Sequence, residues 1–257
     1  YTFKDSTEID LLNYKDLTHF DFDNRLGNQR RLYRTMPYVS NTHVSPKVST
    51  SIKRYFIRGH KYALLASGVC ASPDLEYIYI SDTDMTGPEV EVVAAANFIP
   101  GTTYRVTDTG DMDQAAWEAV GGTNSTPSAT YAAGTTFTAI DPQPASTGTG
   151  KARVSVNITI VSDNISRFYS LHNKHGVVSM NGKSKLTHYY HYNADMTYIP
   201  VNDRIMSSST FTGCTQLRIV HLGYSSLLTG DANIAFKDLQ KLSYLNFIRT
   251  NLKCELS

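Results

Sequence analysis

Cysteine is scarce in this chain: Cys70, Cys214 and Cys254 are the only three among 257 residues. Three thiols so far apart build neither a disulfide framework nor a zinc knuckle. Free buried thiols are expected, which suits assembly in a reducing compartment. An excess of one charge is also missing, since 24 Lys and Arg stand against 23 Asp and Glu. That balance offers no grip on nucleic acid or on an anionic membrane surface. No apolar run is long enough to span a bilayer, so membrane insertion is not expected. The opening Tyr1-Thr-Phe-Lys has neither a methionine nor a signal-type apolar region, which gives no support to export by a signal peptide. Catalytic patterns are lacking as well. There is no Gly-x-Ser-x-Gly elbow, and Gly148-Thr-Gly-Lys is too short for a P-loop and precedes a strand rather than a helix.

What the chain has in quantity is tyrosine, 17 residues against one tryptophan and ten phenylalanines. Tyrosine buries a ring and keeps one polar atom wet, which suits recognition and subunit contacts. The plainer reading is that strands favour Tyr. Strand signals begin near Lys47, where Val48, Thr50, Ile52, Arg54 and Phe56 alternate with their neighbours. Tyr62 to Ala66, Leu75 to Ile80 and Glu89 to Val93 follow, with Gly59, Gly68, Pro73, Gly87 and Pro88 between them. Short strands punctuated in this way predict an antiparallel β-domain over 47–96. Residues 1–46 are polar and aromatic, with a ragged helical stripe over Glu8 to Phe20 and an Arg- and Tyr-rich stretch after it. They read as an arm that orders against a partner or as a plain surface arm.

Residues 97–161 carry a Gly/Thr-rich cassette. It runs Gly101-Thr-Thr-Tyr-Arg-Val, Asp113-Gln-Ala-Ala-Trp-Glu-Ala-Val-Gly, Gly134-Thr-Thr-Phe-Thr-Ala and Gly148-Thr-Gly-Lys-Ala-Arg-Val. Gly-x-x-aromatic pieces are turns that deliver an aromatic onto an alternating strand, and they predict a short β-meander. Arg153 to Val161, with Val154, Val156, Ile158 and Ile160 on one face, is the cleanest strand pattern in the sequence. The four pieces in this order resemble a small β-module of bacteriophage virion proteins, especially tail and fibre proteins. The resemblance implies a building block of a particle rather than a catalyst.

The C-terminal region, 162–257, holds a repeat. At an offset of 25 residues six apolar pairs align: Phe211/Phe236, Cys214/Leu239, Leu217/Leu242, Val220/Leu245, Leu222/Phe247 and Leu227/Leu252. This period lies in the leucine-rich-repeat range, where a short strand and a helical turn alternate. Phe211-Thr-Gly-Cys-Thr-Gln-Leu resembles the repeats of BspA-like bacterial surface proteins, which implies a role in adhesion and binding. One period upstream, Leu186, Tyr189 and Tyr192 fit, but Asp195 and Thr197 stand where apolar residues are due. Two good units fall short of a self-sufficient solenoid, so further chain or another subunit is expected to close the stack.

Two histidine pairs, His172/His175 and His188/His191, have a spacing that could suit zinc on a helix. Neither has a third ligand, and the Tyr-rich strand around the second pair turns its imidazoles to opposite faces. Asp82, Asp84, Asp108, Asp111 and Asp113 could gather as a glycosidase-like pair, although turns use such residues more often. The sequence therefore reads as mainly β: a multi-domain antiparallel β protein with a short leucine-rich-repeat-like C-terminal segment. It is not expected to be an enzyme, and no catalytic residue, metal site or cofactor is assigned. The resemblances imply a virion fibre, appendage or decoration protein. Its expected partners are copies of itself (a trimer favoured), other virion proteins, and a host-surface glycan or protein. The contact residues would be Tyr189, Tyr190, Tyr192 and Tyr224. A bacterial surface adhesin and a virion-bound polysaccharide depolymerase are the alternatives.

Overall fold

The computed structural model describes residues 19–23, 53–58, 72–82, 90–91, 98, 103–121, 132–139, 148–156, 158–197 and 199–254. Strand is the main regular structure among them and helix is sparse, so the protein is β-rich. The chain divides into two compact units, Tyr1–Met85 with Asn157–Ser257, and Thr86–Val156. It begins in the first unit with β1 (His19–Asp23), β2 (Arg54–Arg58) and β3 (Tyr77–Ser81). It then builds the second unit from β4 (Val90–Glu91), β5 (Thr103–Asp108), helix α1 (Gln114–Gly121), β6 (Thr136–Thr138) and β7 (Lys151–Val154). It returns to the first unit with β8 (Arg167–Leu171), β9 (His188–Tyr192), β10 (Ile205–Met206), β11 (Ile219–His221), β12 (Thr229–Asp231), α2 (Ala232–Ala235), β13 (Tyr244–Asn246) and β14 (Asn251–Lys253).

In the first unit, β1, β2, β3, β8, β9, β11 and β13 form one sheet in that order, and every neighbouring pair is parallel. One rung reads His19, Arg54, Tyr77, Arg167, His188, Ile219 and Tyr244. A parallel neighbour cannot be reached through a hairpin, so β8, β9 and β11 are each followed by a return path and these coils stack. The last three coils carry a second strand each, and β10, β12 and β14 make a small parallel sheet.

A recurring turn sets up four of the coils. The backbone N–H groups of Leu75, Leu186, Leu217 and Leu242 donate to the carbonyls of Ser72, Lys183, Cys214 and Leu239, three residues back. Leu75, Leu186 and Leu217, with Ile165 at the same place in its coil, are fully buried. The next inward position stacks Tyr55, Ile78, Phe168, Tyr189 and Val220, all fully buried. Phe168 and Tyr189 lie ring on ring at 5.3 Å, Tyr189 meets Phe211 edge-on at 4.9 Å, and Phe211 stacks on Phe236 at 5.8 Å. Each such side chain stabilises the fold by ~1.5–3 kcal/mol through area removed from water.

Four expectations change here. Strands β2 and β3 belong to the same parallel sheet as the C-terminal strands, not to a separate antiparallel domain over 47–96. Their Gly- and Pro-rich spacing suggests hairpins, but strands paired in parallel cannot be joined by one. Part of the 1–46 arm, His19–Asp23, is the first strand of that sheet, while the helix expected over Glu8 to Phe20 otherwise lies outside the described residues. The 153–161 run is divided: β7 ends at Val154 in the second unit, and Ile158 and Ile160 are buried in the first. The β-meander contains a helix, because the Asp113 side chain accepts from the Ala116 N–H at 2.8 Å and starts one. Trp117 and Val120, one turn apart, then share its buried face.

The second unit is an antiparallel sheet of order β4-β7-β5-β6. Its core is aromatic. Phe98 meets Tyr104 at 4.8 Å and Phe137 at 5.5 Å, both edge-on, while Trp117 lies 5.7 Å from Phe137. Gly134 holds a φ of +97° in the turn before β6, a conformation that glycine adopts freely. Gly101 lies outside the described residues.

Candidate functional site

Strands β3, β8 and β9 alternate half-exposed and buried positions, so the parallel sheet has one inward and one outward face. Outward, the in-register rungs place Tyr79, Tyr169, Tyr190 and His221 in a row. Tyr79 and Tyr169 lie 5.9 Å apart, Tyr169 and Tyr190 stack at 4.7 Å, and Tyr190 meets the His221 ring edge-on at 5.4 Å. The row widens at the strand ends. Tyr192 sits 4.7 Å from His221 and 5.4 Å from Tyr224, whose ring is capped by the Arg249 guanidinium at 4.9 Å.

Tyr224 occupies a recurring corner. Asp82, His172, Asn193, Tyr224 and Arg249 all have φ between 51° and 64°. For the first four, the backbone N–H donates to the next coil's carbonyl: Leu171, Tyr192, Gly223 and Ile248 accept in turn. This backbone ladder holds non-glycine residues in the left-handed region, where each costs ~1–2 kcal/mol.

Burial, and for Tyr77 its Tyr169 and Tyr79 neighbours, pushes the phenols of Tyr77, Tyr169 and Tyr190 above the ordinary tyrosine value. They are therefore hydrogen-bond donors at neutral pH. Burial lowers His221, and burial with the Arg167 and Arg218 charges lowers His188. His188 and His221 are thereby biased toward the neutral form. At one side of the row, Arg54, Glu76, Tyr77, Ser166 and Arg167 line a cleft of about 420 Å³.

Of the four tyrosines read from the sequence, the structure brings three together on this face, Tyr190, Tyr192 and Tyr224. Tyr189 is corrected: it points inward and is fully buried, and its hydroxyl donates to the Val178 carbonyl and accepts from the Val178 N–H at 3.3 Å. Tyr189 and Tyr190 are neighbours on a strand, so only one of them can face outward. Tyr77, Tyr79 and Tyr169 were missed. The signal was the alternation in Tyr77-Ile-Tyr-Ile and Arg167-Phe-Tyr-Ser, readable once those strands are aligned with His188-Tyr-Tyr-His.

Both histidine pairs split between the two faces, the His188/His191 pair as the strand period requires. His172 and His188 lie outward, whereas His175 and His191 are buried. The Ser170 hydroxyl bonds His175 Nε2, and Asn173 donates to Ser170 Oγ and to the Ile80 carbonyl, at 2.9 Å each. All three side chains are closed to solvent, so this serine–histidine contact is out of reach of any substrate. Among the described residues no three His, Cys, Asp or Glu side chains converge as a metal site would need. The carboxylates serve turns and caps. Asp111 accepts from Thr149, which lowers its pKa, Asp108 accepts from Gly110, and Asp113 caps α1. Asp84 lies outside the described residues. No protein-family model, curated protein or solved structure matches this chain.

Proposed function

We propose that this chain is a binding component of a bacteriophage particle, a fibre, appendage or decoration protein of tail or capsid, which attaches to a host surface through the outward face of its parallel sheet. The observation that carries the reading is the row Tyr79–Tyr169–Tyr190–His221, continued through Tyr192 and Tyr224. A rigid sheet presents these rings with little entropy left to lose on contact. The sequence of the second unit supports the virion assignment through its resemblance to particle modules. The mechanism is binding without covalent chemistry. Copies of the chain assembled in a trimer or ring, together with other virion proteins, would multiply a modest affinity into avidity.

The coil stack favours a second reading, a bacterial surface adhesin with leucine-rich repeats. It contains more parallel coils than the two units read from the sequence. Location separates the two: mass spectrometry finds the chain in purified particles in the first case and in cell envelopes in the second. The binding itself is tested with labelled protein on isolated bacterial envelopes. A Tyr169→Ala/Tyr190→Ala variant with unchanged circular dichroism should lose retention. Equal retention of both proteins would remove the face from the mechanism.

A further inference from the structure

The outward face has a chemical bias that selects its ligand. Strands β2, β3, β8, β9, β11 and β13 contain no Asp or Glu, and β2 and β8 contribute Arg54 and Arg167; the acidic residues of the sheet, Asp21 and Asp23, are confined to its edge strand β1. The rings of Tyr79, Tyr169 and Tyr190 lie partly over one another, at 35° and 30° between planes. Their electron-rich faces are thereby turned toward each other, and what remains outward is ring edge, which carries partial positive charge, and phenol hydroxyl. Such a surface offers hydrogen-bond donors to an acceptor-rich, anionic ligand. Nucleobases would need free ring faces to stack on, and here those faces are engaged.

The cleft beside the row sharpens the choice. Arg54, Tyr77 and Arg167 are consecutive on one rung, so two exposed guanidiniums stand on either side of a tyrosine, their Cα atoms about 10 Å apart. Among the described residues neither guanidinium has a carboxylate partner. A carboxylate held between them would be bound by charge-assisted bonds. Glu76 also lines the cleft, and it is an acceptor. Glu76 disfavours any bare anion, phosphate, sulfate or carboxylate alike, and favours a ligand that also brings a hydroxyl to donate to it. Ser166 Oγ already donates to the Glu76 backbone carbonyl at 2.9 Å, which leaves its lone pairs free for a second donor. A ligand that carries a carboxylate and hydroxyl groups close together, as an acidic sugar does, can meet all of these groups.

We infer that the Arg54–Tyr77–Arg167 cleft binds an acidic sugar, a uronic or sialic acid unit of a polysaccharide, whose chain continues along the Tyr79–Tyr169–Tyr190 row. The coils advance by about 4.8 Å each, close to the length of one sugar unit, so successive rings meet successive residues of the glycan. This rests on the binding-face reading above and adds the class of ligand to it.

The test is calorimetric titration of the full chain with oligogalacturonate, hyaluronan and polysialic acid. Methyl-esterified oligogalacturonate, polyglutamate and inorganic phosphate serve as controls. At least one acidic glycan should bind with a Kd at or below about 1 mM, and its affinity should fall as salt rises. The esterified polymer should not bind. An Arg54→Gln/Arg167→Gln variant with an unchanged melting temperature should lose about tenfold or more in affinity. Glu76→Ala should weaken the glycan as well. Tightening by Glu76→Ala together with phosphate binding would overturn the inference in favour of a simple anion site. Polyglutamate binding as strong as the glycan's would overturn it in favour of an acidic peptide. Absence of binding by every acidic glycan also overturns it. If envelope retention still depends on Tyr169 and Tyr190 in that last case, the binding face stands and only the sugar fails. If acidic glycans bind through the arginines while envelopes are not retained, the cleft stands and the host-attachment reading fails.

Discussion

His175 and His191 stack ring on ring in the core of the coil stack, with centroids 4.6 Å apart and planes 3° from parallel. Each is the buried member of one of the two sequence pairs. His175 Nδ1 donates to the Gly176 carbonyl at 2.7 Å, and its Nε2 meets the Ser170 hydroxyl. Neither ring nitrogen of His191 has a hydrogen bond of normal geometry, and the His175 backbone supplies at most a marginal one. Two imidazoles this close and this buried are stable only while both are neutral. Burial brings His175 down to about 4 and, with the neighbouring His175, holds His191 well below the usual histidine value.

The pair makes stability fall in mild acid. Both pKa values are lower in the folded chain than the unfolded value near 6.5, so the unfolded chain binds more protons below that pH. The stabilisation is complete above pH 6.5 and is lost as pH falls toward 4, at up to ~1.4 kcal/mol per pH unit for each ring. The melting temperature should drop over this window, and His191→Phe should reduce the slope. An identical pH profile for the variant would rule the pair out as its source.

The coil core is tested by unequal leucines. Leu217 is fully buried, and Leu217→Ala should destabilise by ~2–5 kcal/mol. Leu242, its equivalent one coil on, is only half-buried, so Leu242→Ala should cost distinctly less. Denaturant melts of the two variants decide the matter, and equal losses would contradict the register.

Gly134→Val should destabilise the second unit by ~1–3 kcal/mol. Its φ of +97° is strained for a β-branched residue, although no atom crowds the position. Trp117 is the sole tryptophan and is buried in that unit, so its fluorescence reports the unit's unfolding directly. An unshifted fluorescence midpoint would refute the turn.

Cys214 and Cys254 should differ in reactivity. Burial pushes the Cys214 thiol up to about 11, and its sulfur donates to the Met180 carbonyl, whereas Cys254 is exposed. At pH 8, iodoacetamide should label Cys254 and leave Cys214 unmodified in the native protein, as peptide mapping would read. Rapid labelling of Cys214 would mean that this coil opens readily.

The 25-residue register was legible because β11 and β13 pair at that offset, Ile219 with Tyr244 and Val220 with Leu245. The sixth aligned pair was not structural: Leu252 sits beside Gly230, not Leu227. The upstream coils were hidden for two physical reasons. Their lengths differ, with Val220 paired to Tyr189 and Tyr189 to Phe168, so a fixed offset misses them. Their inward positions are also filled by Tyr189, His191 and Ser170 instead of leucine, held by ring stacking and buried hydrogen bonds. The tyrosine face was half legible, since composition announced it while the alignment of β3 with β8 was needed to assemble it.

Strand β3 pairs with β8 although the whole Thr86–Val156 unit lies between them in the chain. Within that unit the first strand, β4, pairs with the last, β7, so its entry and exit are neighbours. In kinetic terms this sets an order of events. While the inserted segment is unfolded, bringing β3 to β8 means closing a long flexible loop; once β4 and β7 have paired, the remaining closure is short and the entropy lost in making it is smaller. On loop-closure grounds, prior closure of the insert would speed the joining of β1 to β3 to the stack, as a latch would.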